Sequence, residues 1–179
     1  MGEALNLKFY NPFILLIIMN KKLTIEEAKE FSKNFINKIS NDESRQFQIL
    51  HSKHVAEIAL ILAMNKNVDK EILEIAGYVH DIGYAIEEKN HAEHSLEILE
   101  KEFEINDKLK DCILNHGNSG KPLTEEGKII QIADKVSLFN PETISLILRL
   151  NKNKIKKEDI NFIKMMADHA INMLEEFDI

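Results

Sequence analysis

The residues best suited to chemistry are an adjacent histidine and aspartate, His80 and Asp81. They follow a largely apolar helical run at residues 72–79, so the carboxylate of Asp81 emerges from a segment that is expected to be buried. An unpaired charge there is costly, and a divalent metal ion is a partner that both side chains can share. Imidazole nitrogen with carboxylate oxygen suits Mn, Fe, Co, Ni or Zn, and suits Mg less well. The pair alone is weak evidence, because it also fits a helix C-terminus at which a histidinium meets the helix dipole.

Further histidines and one distant aspartate strengthen the metal interpretation. The residues of suitable type are His51, His80, Asp81, His91, His116 and Asp134. Asp134 lies among apolar neighbours in a helical pattern, where an aspartate is either at the edge of a buried stripe or held by a cation. His91 has a competitor in His94, because the two share one helical face. His54 and His169 are expected to be surface or packing residues.

Capping residues and the three-to-four spacing of apolar residues place these side chains on helices. Five segments begin with residues that favour helix N-caps: Thr24, Asn41, Asp69, Thr124 and Asn140. His51 falls on the second predicted helix, and the His80–Asp81 pair ends the third. A fourth helix is predicted from His91 to about residue 103, and a fifth from residue 107 to His116.

The composition predicts an all-α, compact single-domain helical bundle. The chain has 179 residues, 44% hydrophobic and 30% charged, and its scarce Gly (6) and Pro (3) argue against a many-stranded β fold. The net charge of −7 disfavours general binding to nucleic acid backbones. Cys112 is the only cysteine, which fits a reducing cytoplasm and precludes an intrachain disulfide.

The N-terminal residues 1–18 are interpreted as an extension outside the domain, which we expect to occupy residues 19–179. The sequence from Met19 to Lys22 resembles a natural start of translation. The apolar run Phe13–Met19 is too short to span a bilayer, and no cleavage site typical of a signal peptide follows it, so no membrane association is expected. This run and the C-terminal helix each offer apolar surface for a homodimer.

The ordered motifs resemble the HD-domain superfamily of metal-dependent phosphohydrolases over about residues 45–140. The family's successive motifs match His51-Ser52 with Val55-Ala56, His80-Asp81-Ile82-Gly83, and Ala133-Asp134-Lys135. Two further histidines found in many members match His91 and His116. The resemblance implies a first metal held by His51, His80, Asp81 and Asp134. It implies that His91 and His116 hold a second metal, or contact phosphate if only one metal binds.

The resemblance implies hydrolysis of a phosphate ester by metal-activated water. A nucleotide or another small phosphate ester is the expected substrate, because an acidic protein with a compact site favours a small molecule over a nucleic acid polymer. Whether the ester is a monoester or a diester stays open. Asp81 is expected to bridge the metals, and Lys121 and Lys135 are candidates for contacting phosphate.

One departure from the family pattern concerns Tyr84, since many members place a lysine directly after the His-Asp-Ile-Gly motif. Lys89, Lys121 or Lys135 could replace that lysine, or Tyr84 could donate a hydrogen bond to phosphate or stack on a base. Glu87 or Glu88 could serve as general acid or base.

Two other functions stay open at this point. One is an oxygenase with a mixed-valent di-iron pair, as in some HD relatives. The other is a non-catalytic regulatory module whose metal is structural or whose ligand is a signalling nucleotide.

Overall fold

The computed structural model describes residues 21–150 and 156–177 of the chain. The predicted N-terminal extension, residues 1–18, lies outside the described residues. Within them the chain forms eight α-helices: α1 (Ile25–Ile36), α2 (Asp42–Leu62), α3 (Lys70–Val79), α4 (His91–Leu99), α5 (Asp107–Leu114), α6 (Glu125–Ser137), α7 (Pro141–Leu150) and α8 (Lys157–Glu176). A short 3-10 helix at Ile82–Ala85 joins α3 to α4. The described residues contain no strand beyond an isolated bridge between Lys22 and Glu104. The all-α prediction is therefore confirmed.

The predicted N-caps are confirmed. Thr24 forms a reciprocal capping box with Glu27, in which each residue accepts a hydrogen bond from the backbone N–H of the other. The other predicted caps accept a hydrogen bond from a backbone N–H in the first turn of the following helix: Asn41, Asp69, Thr124 and Asn140. These bonds satisfy N–H groups that have no partner inside the helix, and so they fix where each helix begins.

The predicted end of α4 is wrong, because the helix stops at Leu99 and does not continue to Phe103. Phe103 is buried and its ring meets that of Phe31 edge-on, with the ring centroids 5.4 Å apart. The backbone N–H of Glu104 then donates to the carbonyl of Lys21 at 3.0 Å. Contacts with a distant segment therefore turn the chain out of the helix at this point.

Helix α2 lies at the centre of the bundle and packs against α1, α3, α6 and α7. Its closest neighbour is α3, at the position where Gly77 faces Ala56. A Cβ atom at Gly77 would lie 2.5 Å from the backbone nitrogen of Ala56, so only glycine allows this approach. Leu73, Val79 and Ile130 are fully buried in the core formed around these helices. The contact sets the distance between His51 on α2 and His80 at the end of α3.

Helix α8 packs against α6 and is amphipathic. Met166 and Ala170 are buried, whereas Met165 is 58% exposed, so Met165 does not contribute to the core. Exposed apolar residues also include Ile160 and Ile171. Among the described residues, no helix has both the length and the apolar character needed to cross a membrane.

Candidate metal centre

Six side chains from five segments of the fold converge beside the centre of α2. His51 lies in the middle of α2, His80 caps the C-terminus of α3, and Asp81 follows it before the 3-10 helix. The others come from the start of α4, the turn after α5 and the last turns of α6: His91, His116 and Asp134. All except His91 are buried, each with no more than 8% of its surface exposed.

His116 was predicted to end a helix, but α5 stops at Leu114 and His116 lies in the following turn. The side-chain amide of Gln131, on α6, donates to the carbonyls of Asn115, Gly117 and Gly120. These bonds draw the loop toward α6, and they place the imidazole of His116 against the cluster.

The link between Gly83 and Ser95 places Asp81 and His91 next to each other. The hydroxyl of Ser95 donates to the carbonyl of His91 and accepts from the backbone N–H of Gly83, each at 2.8 Å. A Cβ atom at Gly83 would lie 2.7 Å from the backbone nitrogen of Ser95, so a side chain here would separate the 3-10 helix from α4. Gly83 of the His-Asp-Ile-Gly motif therefore serves the packing of the site.

One oxygen of Asp81 faces a first group of ligand atoms. The Nε2 atoms of His51 and His80 each lie 3.5 Å from Asp81 Oδ2 and 3.4 Å from one another. Asp134 lies at the edge of this group, with Oδ1 3.0 Å from His51 Nε2 and 3.9 Å from His80 Nε2. The ligand atoms of His51, His80 and Asp81 are close enough together for one cation to contact all three, and Asp134 borders them.

The other oxygen of Asp81 faces a second group. Asp81 Oδ1 lies 3.2 Å from His91 Nε2 and 3.1 Å from His116 Nε2, and the two nitrogens are 3.0 Å apart. Asp81 Oδ1 is buried and has no hydrogen-bond partner among the described residues. The carboxylate of Asp81 thus stands between two groups, each able to hold a metal ion.

The Nδ1 atom of each of these four histidines lies within hydrogen-bonding distance of an oxygen. His80, His91 and His116 reach the backbone carbonyls of the residues three before them, at 3.1, 2.7 and 2.7 Å respectively. His51 Nδ1 lies 2.9 Å from the hydroxyl of Ser137, which itself donates to the carbonyl of Asp134. These oxygens must accept, so in the neutral form of each ring Nδ1 carries the hydrogen and Nε2 presents a lone pair.

This arrangement fits a divalent cation. Four nitrogen lone pairs and the carboxylates of Asp81 and Asp134 face one another without a hydrogen between them when the histidines are neutral. Such a donor set repels itself unless a cation lies within it. Hydrogen bonds from Nδ1 to oxygen acceptors also fix the ring orientations that metal-binding histidines require.

In the absence of a metal, protons on the histidines supply part of the positive charge that the buried carboxylates need. Burial disfavours a charged His51, but hydrogen bonds to Asp134 and Asp81 outweigh it and raise the pKa of His51 to about 9. Burial lowers the pKa of His80 to about 4. Although burial alone would raise the pKa of Asp81, its histidine neighbours hold that pKa well below its ordinary value. Burial opposes ionisation of Asp134 too, but its hydrogen bond to His51 lowers the pKa of Asp134. Both carboxylates therefore remain ionised in the interior and need a positive partner.

His91, and not His94, faces the site. His94 lies one turn along α4, where its imidazole nitrogens reach Glu87 at 3.3 Å and Glu97 at 3.4 Å. His54, expected at the surface or in packing, is buried and joins α2 to α7 through Thr143 at 3.0 Å.

The two predicted phosphate contacts differ in position. Lys135 is buried and its ammonium contacts the carboxylate of Asp134, at the border of the first group. Lys121 is exposed, and its backbone N–H donates to Asn115 Oδ1 at 3.2 Å. Among the described residues, the ammonium of Lys121 makes no ion pair with Asp81 or Asp134.

Sequence reasoning missed three residues that adjoin the cluster: Phe47, Gln48 and Ser137. Phe47 and Gln48 precede His51 by four and three residues, and Ser137 follows Asp134 by three, so each shares a helical face with a candidate ligand. The ring of Phe47 stacks on that of His51 with centroids 5.4 Å apart, and Tyr84 stacks on His91 at 4.2 Å. Helical spacing from the candidate ligands could have placed these residues near the site, but it does not show that the fold buries Gln48.

Comparison with known proteins agrees with this geometry. The HD domain family matches residues 49–138, half of the chain. A deoxyguanosinetriphosphate triphosphohydrolase-like protein from Caldanaerobacter subterraneus subsp. tengcongensis is 29% identical over 143 residues, which cover 68% of this chain and 41% of that protein. Ribonuclease Y from Treponema denticola is 36% identical over 94 residues, covering 51% of this chain and 18% of the relative. Ribonuclease Y from Alkaliphilus metalliredigens is 33% identical over 110 residues, which cover 57% of this chain and 23% of that relative.

The chain therefore spans less than half the length of these relatives. No solved structure shows a significant match to it. The family match covers His51, the His80–Asp81 pair, both further histidines and Asp134. The chain belongs to the HD domain family of metal-dependent phosphohydrolases.

Proposed function

We propose that this protein hydrolyses a nucleotide or another small phosphate ester with the help of one or two divalent metal ions. The observation that carries the proposal is the convergence of four histidine Nε2 atoms on the two oxygens of Asp81, with every Nδ1 engaged elsewhere. A merely structural metal would need one closed set of ligands, whereas here two adjacent groups share one carboxylate.

The proposed ligands of the first metal are His51, His80, Asp81 and Asp134. His91 and His116 would hold the second metal, and Asp81 would be a ligand of both metals. Mn, Fe, Co, Ni or Zn suits this mixture of imidazole and carboxylate better than Mg does. The bound metal supplies an activated water and neutralises charge on the phosphoryl oxygens.

The other residues of the site would hold the substrate and the ligands in place. Lys135 carries a positive charge at the border of the first group, where it could contact a phosphoryl oxygen. Tyr84 packs on the ring of His91, and burial raises the pKa of Tyr84, so its hydroxyl remains a hydrogen-bond donor at neutral pH. Lys121 would act only if its loop approached the substrate.

The relatives support a nucleotide substrate. One is named for deoxyguanosine triphosphate and others are named ribonuclease, so both names point to phosphate groups on nucleosides. The similarity to Ribonuclease Y makes RNA a second candidate substrate. The net charge of −7 favours the small nucleotide, because a polyanion is repelled by an acidic surface.

The test is hydrolysis by protein loaded with Mn or Co, on nucleoside mono- and triphosphates and on a short oligoribonucleotide. We expect turnover of nucleotides by the wild type and a loss of at least about 10³-fold in Asp81→Ala, since the shared ligand is removed. Lys135→Met should lower activity, and Lys128→Met is its matched control, because Lys128 is an exposed lysine of α6 paired with Glu125.

Other outcomes would contradict the proposal. Cleavage of the oligoribonucleotide alone would favour the ribonuclease function. Oxygen consumption by iron-loaded protein, without phosphate release, would favour the di-iron oxygenase. Tight nucleotide binding with no turnover under any metal would favour a regulatory module.

A further inference from the structure

The loop at residues 115–124 joins α5 to α6 and carries His116, a candidate ligand of the second group. In the first group, by contrast, His51 and Asp134 lie within α-helices, whose backbone geometry fixes where their side chains start. A loop holds a side chain in place only as firmly as its own contacts allow. The position of His116 therefore depends on the residues that hold this loop.

Asp111, in the last turn of α5, joins the two ends of the loop. At the first end, its Oδ1 atom accepts a hydrogen bond from the side-chain amide of Asn115 at 2.8 Å. At the other end, its Oδ2 atom accepts from the backbone N–H groups of Leu123 at 3.0 Å and Thr124 at 2.8 Å. The hydroxyl of Thr124 also donates to Oδ2, at 2.6 Å. One buried carboxylate therefore closes the loop.

The first turn of α6 accommodates the carboxylate of Asp111. Thr124 caps this helix by accepting from the backbone N–H of Gly127, so its hydroxyl hydrogen is left to donate to Asp111. A Cβ atom at Gly127 would lie 2.3 Å from Asp111 Oδ2, so glycine leaves the room that the carboxylate occupies. Burial disfavours the charged form of Asp111, but hydrogen bonds from Thr124 outweigh it and lower the pKa of Asp111.

Gln131, on α6, fills the interior of the same loop. Its Nε2 atom donates to the backbone carbonyls of Asn115, Gly117 and Gly120, at 3.1, 2.9 and 3.1 Å respectively. The first two of these carbonyls belong to the residues on either side of His116. Loss of the amide would leave the carbonyls without this donor, and a rearrangement to satisfy them would move the imidazole.

The second group of ligand atoms tolerates little movement of His116. Its Nε2 atom lies 3.1 Å from Asp81 Oδ1 and 3.0 Å from His91 Nε2. Metal–ligand distances must fall within about 0.2 Å of their preferred values, so a small shift of the loop removes a ligand. Among the described residues, Asp111 and Gln131 make no hydrogen bond to any candidate ligand of the first group.

We propose that Asp111 and Gln131 are positioning residues that hold His116 in the second group and so determine whether a second metal binds. They act through the loop and contact neither group of ligand atoms, so a metal in the first group should bind without them. The inference rests on the proposed function, because it takes the second ligand set from there. It adds to that function the residues that decide between one metal and two.

The test uses the whole chain with either Asp111→Asn or Gln131→Met. Asparagine has one acceptor oxygen and can close only one end of the loop, and methionine resembles glutamine in length but has no donor. Mn or Co is titrated calorimetrically into chelator-treated protein, and the wild type should bind two equivalents. In each variant the first affinity should stay within about twofold of wild type, whereas the second should fall on the order of 10- to 100-fold.

The matched controls are Asp107→Asn on α5 and Lys128→Met on α6. Asp107 is exposed in the first turn of its helix, and Lys128 is exposed and pairs with Glu125 at 2.7 Å. Both controls should bind two metals with wild-type affinities. An unchanged second affinity in Asp111→Asn and Gln131→Met would overturn the inference. An equal loss of both affinities would also overturn it, because a general weakening of the fold affects both groups.

A measurement on metal-free protein separates this inference from the proposed function. The rings of His91 and His116 have centroids 5.1 Å apart, so their ring protons should give a nuclear Overhauser effect in the wild type and in both controls. We expect Asp111→Asn and Gln131→Met to lose this signal while they remain folded. Its persistence in both variants, or its absence from the wild type, would overturn the placement of His116 by these residues. If the variants lose the signal but the wild type binds only one metal, the positioning role stands and the second metal of the proposed function is contradicted.

Discussion

At the residue scale, the site depends on the partners that hold each imidazole. Three of these partners are backbone carbonyls, whose positions are set by local helix and turn geometry. The fourth is the hydroxyl of Ser137, a side chain 86 residues away from His51 in the sequence. Of the four contacts that orient the imidazole rings, this is the one that a side-chain substitution can remove while every candidate metal ligand stays unchanged.

Ser137→Ala should weaken metal binding on the order of 10- to 100-fold, because His51 loses the acceptor that fixes its ring and tautomer. The measurement is metal affinity by competition with a chelating dye. Ser52→Ala is the control, since Ser52 is equally buried beside His51 but donates only to the carbonyl of Ile49. Equal affinities in the two variants would contradict the role assigned to Ser137.

The sequence identified the six candidate ligands because their types, order and helical positions are local properties. It did not decide between His91 and His94, since both lie on one face of α4. Which of the two reaches the cluster depends on how α4 packs against the 3-10 helix. Gln48 was missed for a similar reason. A glutamine becomes informative only when the fold buries its oxygen, and burial is not visible in the spacing of residues.

At the element scale, the contact of α2 with α3 holds the first group of ligands together. Gly77 permits this contact, and the apolar helical pattern around it predicted both helices without revealing that they cross there. The same limit explains the wrong end of α4. Caps and apolar spacing are local, whereas the turn at Phe103 results from packing against Phe31 and from the backbone pairing of Glu104 with Lys21.

Gly77→Ala should destabilise the protein by about 1–3 kcal/mol, because the new methyl group would overlap the backbone of Ala56 and force α2 and α3 apart. The measurement is the free energy of unfolding in urea. Gly117→Ala is the matched control, since a Cβ atom there has no other atom within 4 Å. Similar effects of the two substitutions would contradict the close packing at Gly77.

At the scale of the whole molecule, stability without metal should depend on pH through the buried histidines. His51 has a folded pKa raised to about 9, so its contribution is fully present below pH 6.5 and is lost as the pH rises through about 9. His80 has a folded pKa lowered to about 4, so it destabilises the fold increasingly as the pH falls from 6.5 toward 4. The contribution of the site is therefore greatest near pH 6.5.

Thermal unfolding of chelator-treated protein between pH 4.5 and 9 tests this expectation. The apparent Tm should pass through a maximum near pH 6.5, and addition of Mn or Co should raise Tm most at the alkaline end. Metal competes with the proton on His51, so its binding strengthens as the pH rises. The control is Asp81→Ala, in which metal should leave Tm unchanged. A metal effect in that variant equal to the wild type would place the binding elsewhere.

The central claim is that Asp81 lies between two groups of ligands that can each hold a metal ion, and metal content per chain tests it most directly. Protein reconstituted with Mn or Co and then desalted should hold about two equivalents in the wild type and in His94→Ala. His91→Ala should hold about one, and Asp81→Ala close to none. If the wild type retains no metal after reconstitution, or if Asp81→Ala retains as much as the wild type, the metal centre described here is contradicted.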